Sequence, residues 1–140
     1  MNFSKEQLYK RQTCLQDFGA EGQKKMEKAK VLICGCGGLG NAVAVYLAAG
    51  GIGNLVLIDD DVVSLSNLHR QVFFTVNDIG KPKAVVLAAY IRSINPFVSV
   101  TPRKLRLSKS NALAELNGFD VVVDCTDSLP TKYMINDICV

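Results

Sequence analysis

Short apolar runs alternate along this chain with segments whose apolar residues recur at helical spacing. The runs predict buried strands, and the segments between them predict helices. Strands that alternate with helices in this way are typical of a parallel sheet with crossover helices. The predicted strands are "KVLICG", "NLVLID", "FVSVTP" and "FDVVVDCT", and the helices between them are "GNAVAVYLAAGG", "KAVVLAAYIRSIN" and "SNALAELNG".

Two further helices are predicted before the first strand. "SKEQLYKRQTCLQDFG" has a Ser with Glu close behind it, apolar residues at helical spacing and a closing glycine. A second, shorter helix is predicted over "AEGQKKMEKA". The last predicted helix is "SLPTKYMINDICV", which has Pro130 in its first turn.

The composition is that of one globular domain. Of the 140 residues, 49% are hydrophobic and 21% are charged, which is enough apolar material to bury a core. The formal net charge of +3 comes from basic residues scattered along the chain, so a nucleic-acid partner is not expected. Glycine and charged residues interrupt every apolar stretch before the roughly 20 residues that a membrane-spanning helix needs. No membrane partner is expected either.

The cysteines lie mostly within apolar runs and form no CxxC pair; they are Cys14, Cys34, Cys36, Cys125 and Cys139. An odd number of cysteines without an evident secretory leader predicts free thiols in a reducing compartment, and hence a cytoplasmic location. The spacing of Cys34 and Cys36 is wrong for zinc, and Cys125 and Cys139 are expected in the core.

A glycine-rich turn follows the first predicted strand. Gly35, Gly37 and Gly40 match the pattern GxGxxG between a strand and a helix, and Asp59 ends the next strand 19 residues beyond Gly40. Such a turn lets backbone amides approach phosphate closely, and a carboxylate after the second strand accepts hydrogen bonds from ribose hydroxyls. The pattern favours nucleotide binding over the alternative that the glycines only let the helix pack on the sheet.

The long connection between Asp59 and Lys83 spans 25 residues without a regular pattern, and connections of this length are often functional. A nucleoside triphosphate with its metal carries more negative charge than a dinucleotide, so clustered cations in this segment favour a triphosphate. Each cation taken singly could instead be a solvated surface charge. The polar residues concerned are Asn67, Arg70, Gln71 and Lys83, with Arg11 on the first helix.

Several motifs, in this order and at these separations, resemble the ThiF/MoeB/HesA family of adenylyltransferases, which activate sulfur-carrier proteins and are relatives of the ubiquitin-activating enzymes. The motifs are "RQ" at 11–12, "GCGGLG", "IDDDVVSLSNLHRQVFF", "IGKPKA", "INP" and "DCTDS". The resemblance runs from Tyr9 to Val140. With it, we expect an α/β fold with a Rossmann-like parallel sheet and helices on both faces, preceded by N-terminal helices. Residues 1–28 would form the N-terminal helical segment and residues 29–140 a Rossmann-like ATP-binding domain.

The resemblance also implies an activity. Enzymes of this kind adenylylate the C-terminal glycine carboxylate of a ubiquitin-like sulfur-carrier protein that ends in Gly-Gly, and they release pyrophosphate from ATP. ATP and Mg²⁺ would be the cofactors, and the protein would be a homodimer in a pathway of the molybdopterin or thiamine type.

The family pattern assigns roles to matching residues. The backbone of Gly38 would lie against the nucleotide, Asp59 would hold the ribose, and residues 66–70 would wrap the nucleotide. Lys83 would contact phosphate during the attack, and Arg11 would reach the γ-phosphate of the neighbouring subunit's ATP. The expected nucleotide-binding residues are Gly35, Gly37, Gly38, Gly40, Asp59, Ser66, Asn67, Arg70, Gln71, Lys83 and Ser128, and the expected catalytic residues are Arg70, Lys83, Asp127 and Arg11.

Asp127 is the residue that the pattern matches to the Mg²⁺ ligand. It is favoured over Asp124, and Asp60 and Asp61 are the weakest candidates. Asp127 and Ser128 could also cap the helix that follows them.

The chain departs from the family pattern at two residues and in its length, and its lone histidine needs no catalytic role. Ser128 and Lys132 stand where the family usually has Asn and Arg, and a lysine keeps the charge without the bidentate fork. His69 is expected to be a loop residue beside Arg70, because a carboxylate ionised at neutral pH needs no general base. Relatives continue with a Cys₄ zinc site, so the chain looks like the nucleotide-binding half of a longer protein. That half would be inactive alone, with an exposed apolar patch that promotes self-association.

Two other functions stay open on the sequence. An NAD(P)-dependent Rossmann oxidoreductase is allowed by the glycine pattern and Asp59, and it predicts NADH binding that does not need Arg70. A non-catalytic subunit of the same superfamily would bind a nucleotide, a carrier or a sibling chain without turnover.

Overall fold

The protein is described by a computed structural model over residues 3–140. Its helices and strands alternate as the hydrophobic pattern predicts. In chain order they are α1 (Lys5–Thr13), α2 (Gly19–Lys28), β1 (Lys30–Cys34), α3 (Gly38–Gly50), β2 (Asn54–Ile58), α4 (Lys83–Ile94), β3 (Ser99–Arg103), α5 (Ala112–Leu116), β4 (Val121–Asp124) and α6 (Leu129–Cys139).

The four strands form one parallel sheet in the order β3-β2-β1-β4. At its carboxyl end, Cys34 of β1 lies in register with Ile58 of β2 and with Asp124 of β4. The turns that leave β1, β2 and β4 therefore meet at one edge of the sheet, where parallel α/β proteins bind ligands.

The sheet is buried on both faces because alternate residues of β1 point to opposite sides. Val31 and Ile33 pack with α3 and α4, whereas Leu32 and Cys34 pack with α5 and α6. The α/β fold with a Rossmann-like sheet and helices on both faces is confirmed.

The first helix is shorter than the sequence predicts. The pattern extends one helix over residues 4–19, but α1 ends at Thr13 and a run of turns leads to Gly19, where φ is +56°. The Thr13 hydroxyl donates to the carbonyl oxygens of Tyr9 and Lys10, and it competes there with continued helical bonding.

Helix α1 contacts the C-terminal ends of α3 and α4, which lie at the end of the sheet opposite to the strand carboxyl ends. The buried Tyr9 hydroxyl accepts a hydrogen bond of 2.8 Å from Asn95 Nδ2, at the C-terminus of α4. Gln12 donates to the carbonyl of Gly50, in the last turn of α3. These contacts join α1 to α3 and α4. The division of the chain at residues 28 and 29 stays a prediction.

Within residues 3–140, no helix has both the length and the apolar character to span a bilayer. Some apolar side chains are exposed near the β4 edge and on α6, namely Val121, Leu129 and Tyr133. Self-association through this region stays a prediction.

Candidate nucleotide-binding site

The glycine bend joins β1 to α3 and needs glycine at two positions for backbone reasons. Gly35 has φ +92°, and a Cβ there would lie 2.9 Å from the carbonyl oxygen of Cys125. A Cβ at Gly40 would overlap the Gly35 carbonyl, so helix and bend can approach only with glycine. The bend lies beside the turn after β4, because Cys125 N donates to Cys34 O at 2.8 Å.

Asp59 lies at the end of β2 and braces this bend. Its Oδ2 accepts a hydrogen bond of 2.6 Å from the backbone N–H of Cys36, and its Oδ1 accepts one of 2.7 Å from the N–H of Asp61. Burial raises the pKa of the Asp59 carboxyl, although both amide bonds favour its ionised form. Each carboxylate oxygen keeps acceptor capacity for the predicted ribose contact.

The long connection folds back on itself, so that its two ends meet. Val62 and Pro82 form an antiparallel bridge, Val63 N donates to the carbonyl of Lys81 at 2.9 Å, and Gly80 N donates to that of Val63 at 2.8 Å. This pairing brings Lys83, at the start of α4, next to the ends of β1 and β2.

Arg70 is held over the glycine bend by a single turn of 3₁₀ helix, Leu65–Asn67. Its backbone N–H donates to Asn67 O, and Nη1 donates to Ser66 O at 3.2 Å. Its side-chain methylenes lie 4.0 Å from where a Cβ of Gly38 would stand. The clustering of cations and glycines that the sequence predicts is therefore present in the fold.

One cleft of about 780 Å³ contains most of the predicted site. This size is in the range of small-molecule sites. The predicted residues that line it are Gly35, Gly37, Gly38, Asp59, Asn67, Arg70, Gln71, Lys83, Asp127 and Ser128.

Three predicted residues do not line this cleft. Gly40 lies behind the bend, where its role is close packing. Ser66 is exposed, with its hydroxyl 3.1 Å from that of Ser64, and its carbonyl oxygen holds Arg70. Arg11 is on α1, which contacts Gly50 at the C-terminal end of α3. Gly50 is a helix length from Gly38, about 18 Å at 1.5 Å per residue. Within one chain, Arg11 is therefore distant from the cleft.

Part of the cleft lining was not predicted from the sequence. Leu105, Arg106 and Leu107 follow β3 and line the cleft. The predicted strand order could have indicated them, because β3 is parallel to its neighbour β2 and its carboxyl end must lie at the same edge of the sheet. Asp61, the weakest metal candidate, also lines the cleft and pairs with Lys83 at 2.5 Å.

The cleft contains space and polar atoms that the protein itself does not use. A Cβ at Gly37 or Gly38 would meet only side-chain atoms of Gln71 or Arg70, at 3.7 and 4.0 Å. Internal packing therefore does not explain glycine at these positions, whereas room for a ligand does. Buried Asn67 Oδ1 and Gln71 Oε1 have no hydrogen-bond partner within residues 3–140, as expected of groups that a ligand or its water satisfies.

The turn after β4 separates two aspartates with different surroundings. Both oxygens of Asp124 have partners within the protein: Oδ1 accepts from the backbone N–H and hydroxyl of Thr126, and Oδ2 accepts from Lys132 at 3.1 Å. Asp127 is exposed and faces the cleft. In the described chain, Ser128 at the N-cap of α6 makes no side-chain capping bond, so the capping alternative for this serine finds no support.

This donor set fits a magnesium ion that arrives with a nucleotide. No group of three or more His, Cys, Asp or Glu side chains in residues 3–140 could hold a metal ion alone. Mg²⁺ at nucleotide sites usually takes one or two carboxylates together with phosphates and waters. Asp127 is suitably placed to supply such a carboxylate.

Thiols and the lone histidine contribute little chemistry here. Burial raises the pKa of the Cys34 thiol to about 12 and also raises that of Cys36, so both stay protonated at neutral pH. His69 is an exposed loop residue whose Nε2 lies 3.5 Å from Arg70 Nη1. The charged groups that face the cleft are therefore aspartates, arginines and lysines.

Known proteins share this fold and sequence over nearly the whole chain. The model of the ThiF family matches residues 9–140. Adenylyltransferase and sulfurtransferase MOCS3 of Xenopus laevis is 49% identical over 132 residues, which cover 94% of this chain and 29% of that protein. The sulfur carrier protein adenylyltransferase of Thermus thermophilus is 44% identical over 142 residues, which cover 100% of this chain and 52% of that protein.

A solved structure gives the same result. The E. coli tRNA N6-threonylcarbamoyladenosine dehydratase TcdA, in complex with ATP, matches with a TM-score of 0.90 and 30% identity. The match covers 99% of this chain and 58% of that one. This chain thus spans between 29% and 58% of the length of these relatives. From the match to the family model and from these relatives, the chain belongs to the ThiF family.

Proposed function

We propose that the protein activates the C-terminal glycine carboxylate of a ubiquitin-like sulfur-carrier protein by ATP-dependent adenylylation, with release of pyrophosphate. The observation that carries this proposal is the placement of Arg70 and Lys83 in one cleft with the open glycine bend at Gly37 and Gly38. A redox dinucleotide does not require these cations, whereas a triphosphate under attack by a carboxylate does.

The chemistry asks for positioning and for charge neutralisation. An ionised carboxylate is repelled by a polyphosphate, so the site must hold the two in line and lower the charge between them. In this proposal, Arg70 and amides of the glycine bend bind the phosphates, and Lys83 contacts phosphate as negative charge moves to the leaving pyrophosphate. No general base is needed, because the attacking glycine carboxylate is already ionised at neutral pH.

Asp127 would hold Mg²⁺ together with phosphate oxygens. The ion would add positive charge at the triphosphate, which the carboxylate attack requires. Asn67 and Gln71 would use their free acceptor atoms on the ribose, on water or on the nucleotide. Ser128, which lines the cleft next to Asp127, would also bind the nucleotide.

The names of the relatives support the type of reaction. The Thermus thermophilus relative is a sulfur carrier protein adenylyltransferase, and the TcdA structure contains ATP. From them we propose a carrier tail ending in Gly-Gly as the partner, a pathway of the molybdopterin or thiamine type, and a cytoplasmic location. A zinc site beyond residue 140 belongs to the same proposal.

We also propose a homodimer in which Arg11 serves the neighbouring cleft. The supporting observation is the position of α1 at the end of the sheet opposite to the cleft. Two copies that place α1 of one against the cleft of the other would bring this arginine to the γ-phosphate.

Pyrophosphate exchange into ATP by the full-length gene product tests the activity. We expect exchange that depends on Mg²⁺ and on a carrier whose tail ends in Gly-Gly, and we expect Arg70→Ala to reduce it about 100-fold. Lys109→Ala, at an exposed position outside the cleft, is the matched control.

Each alternative function predicts a different experimental outcome. An oxidoreductase would bind NADH equally well with Arg70→Ala, and that finding would overturn the proposal. Calorimetric titration with ATP and Mg²⁺ identifies a non-catalytic subunit, which would show carrier or nucleotide binding without exchange for any carrier tested.

A further inference from the structure

A continuous chain of hydrogen bonds runs from the glycine bend to Lys83. The N–H of Cys36 donates to Asp59, the second oxygen of Asp59 accepts from the N–H of Asp61, and Lys83 Nζ donates to Asp61 Oδ2. The backbone repeats the last connection, because Lys83 N donates to Asp61 O at 3.0 Å. The position of the Lys83 ammonium is thus tied to the position of the bend.

Lys83 needs a counter-charge where it stands. It is the first residue of α4, where the positive end of the helix dipole disfavours a cation, and the residue is 5% exposed. The first turn of α4, Lys-Ala-Val-Val, offers no carboxylate within the described helix. A buried ammonium without a partner is costly, so its ion pair has a strong effect on its position.

Asp61 supplies this counter-charge from an exposed position. Its side chain is 62% exposed, whereas that of Lys83 is 6% exposed. The second carboxylate oxygen, Oδ1, accepts from the N–H of Val62 at 2.8 Å, which fixes the orientation of the group. The hydrogen bond from Lys83 holds the pKa of the Asp61 carboxyl below its usual range, so this carboxyl stays ionised at neutral pH.

We propose that Asp61 is a positioning residue that holds the Lys83 ammonium at the cleft until the nucleotide is in place. The inference rests on the proposed function of Lys83. Asp61 acts through Lys83 and does not itself contact the nucleotide. Its loss should therefore weaken the chemical step and leave nucleotide binding nearly intact, since a group misplaced by about 1 Å can cost about 100-fold in rate.

The kinetic test compares Asp61→Asn, Lys83→Ala and the double variant in pyrophosphate exchange. Asparagine keeps the shape and an acceptor oxygen and removes the charge. We expect Asp61→Asn to lower kcat ten- to 100-fold, with KM for ATP changed less than about threefold. Added to Lys83→Ala, it should have no further effect, because the residue through which it acts is gone. Full kcat in Asp61→Asn, or a full additional loss in the double variant, would overturn the inference.

Glu27→Gln is the matched control. Glu27 pairs with Lys5 at 3.0 Å on the first two helices, and the substitution also exchanges a paired carboxylate for an amide. We expect its exchange rate to equal that of the wild type. A loss as large as that in Asp61→Asn would show that any ion pair has this effect and would contradict a specific role.

A second measurement does not depend on activity. Lysine side-chain NMR spectra of the nucleotide-free protein, labelled with ¹⁵N, should show a slowly exchanging ammonium signal that is missing in Lys83→Ala. This signal should shift or broaden in Asp61→Asn and remain in Glu27→Gln. An unchanged signal in Asp61→Asn would overturn the ion pair itself. If the wild type shows the expected NMR result but no pyrophosphate exchange into ATP, the proposed function alone would be rejected.

Discussion

Gly38 and Gly40 lie two residues apart in the first turn of α3, but they are glycines for different reasons. A Cβ at Gly40 would overlap the carbonyl oxygen of Gly35, whereas a Cβ at Gly38 would find its nearest neighbour, Arg70, at 4.0 Å. At Gly40, protein atoms fill the space that a side chain would need, whereas at Gly38 that space is open to the cleft. Substitution by alanine can therefore separate stability from binding.

Gly40→Ala should destabilise the protein by about 3 kcal/mol, because the overlap forces helix and bend apart. Gly38→Ala should leave the melting temperature within about 2 °C of the wild type, since alanine is the better helix former. It should nevertheless weaken ATP binding about tenfold or more, because the methyl group occupies ligand space. Urea unfolding and calorimetric titration measure the two effects. Equal stability losses in both variants would contradict this assignment.

At the scale of elements, Asn95 connects three parts of the fold. Its Nδ2 donates to the Tyr9 hydroxyl of α1 at 2.8 Å and to the carbonyl of Ala48 in α3 at 2.7 Å, while its Oδ1 accepts from Phe97 N. The residue is 1% exposed, so water does not replace these bonds easily. Asn95 is therefore one of the polar side chains that attach α1 to α3 and α4.

Asn95→Ala should lower the free energy of unfolding by about 3 kcal/mol, because it leaves buried hydrogen-bonding groups unpaired. Urea unfolding provides the measurement. Asn77→Ala, in an exposed turn, should change the same quantity by less than about 0.5 kcal/mol. A loss below about 1 kcal/mol in Asn95→Ala would show that α1 is held mainly by other contacts.

The single-turn helix Val76–Asp78 depends on one carboxylate. Asp78 Oδ2 accepts from the Thr75 N–H at 3.0 Å and from the Thr75 hydroxyl at 2.7 Å. The bond from the Thr75 hydroxyl is the main cause that lowers the pKa of Asp78. A carboxyl with a lower pKa in the folded state stabilises the protein above its unfolded pKa, about 3.9, and this contribution is lost as pH falls through the folded pKa.

Thermal melting of the wild type and Asp78→Asn should therefore converge in acid. We expect the wild type to melt higher at pH 7, and we expect the difference to shrink as the pH is lowered from about 5 to below 3. Asp137→Asn, on the exposed face of α6, controls for the change of charge. A difference that stays constant over this range would show that the ionised carboxylate of Asp78 is not the stabilising species.

At the scale of the whole molecule, the cleft and Arg11 lie at opposite ends of the sheet. The proposed homodimer predicts that Arg11 and Lys83 of one active site come from different protomers. Arg11→Ala and Lys83→Ala homodimers should each lose exchange activity. A heterodimer of the two variants, isolated with different tags, has one site with both native residues and should recover about half of the wild-type activity.

If Arg11 acts within its own protomer, this heterodimer would be inactive. A protein that is monomeric on gel filtration would contradict the proposed homodimer. A heterodimer of wild-type and Lys83→Ala protomers is the control. It also retains one complete site and should show the same activity.

The alternation of apolar runs, the glycine bend and the residues after each strand could be read from the sequence alone. These features are local: a strand needs alternating burial, a tight turn needs glycine, and parallel strands must end at one edge. The sequence pattern and its charges predict Asp59, Arg70 and Lys83 for the site, and the resemblance to the family adds Asp127. The structure brings all four to one cleft. Their chemical roles are for experiment to test.

Only the tertiary structure decided how the connection between β2 and α4 folds. Its pairing of Val62 and Val63 with residues 80–82 uses backbone hydrogen bonds, which leave no periodic pattern in the side chains. The ion pair of Asp61 with Lys83, 22 positions apart, follows from this closure. The tertiary structure also decided the separation of Arg11 from the cleft, because α1 packs at the far end of α3 and the order of elements in the chain does not fix that arrangement.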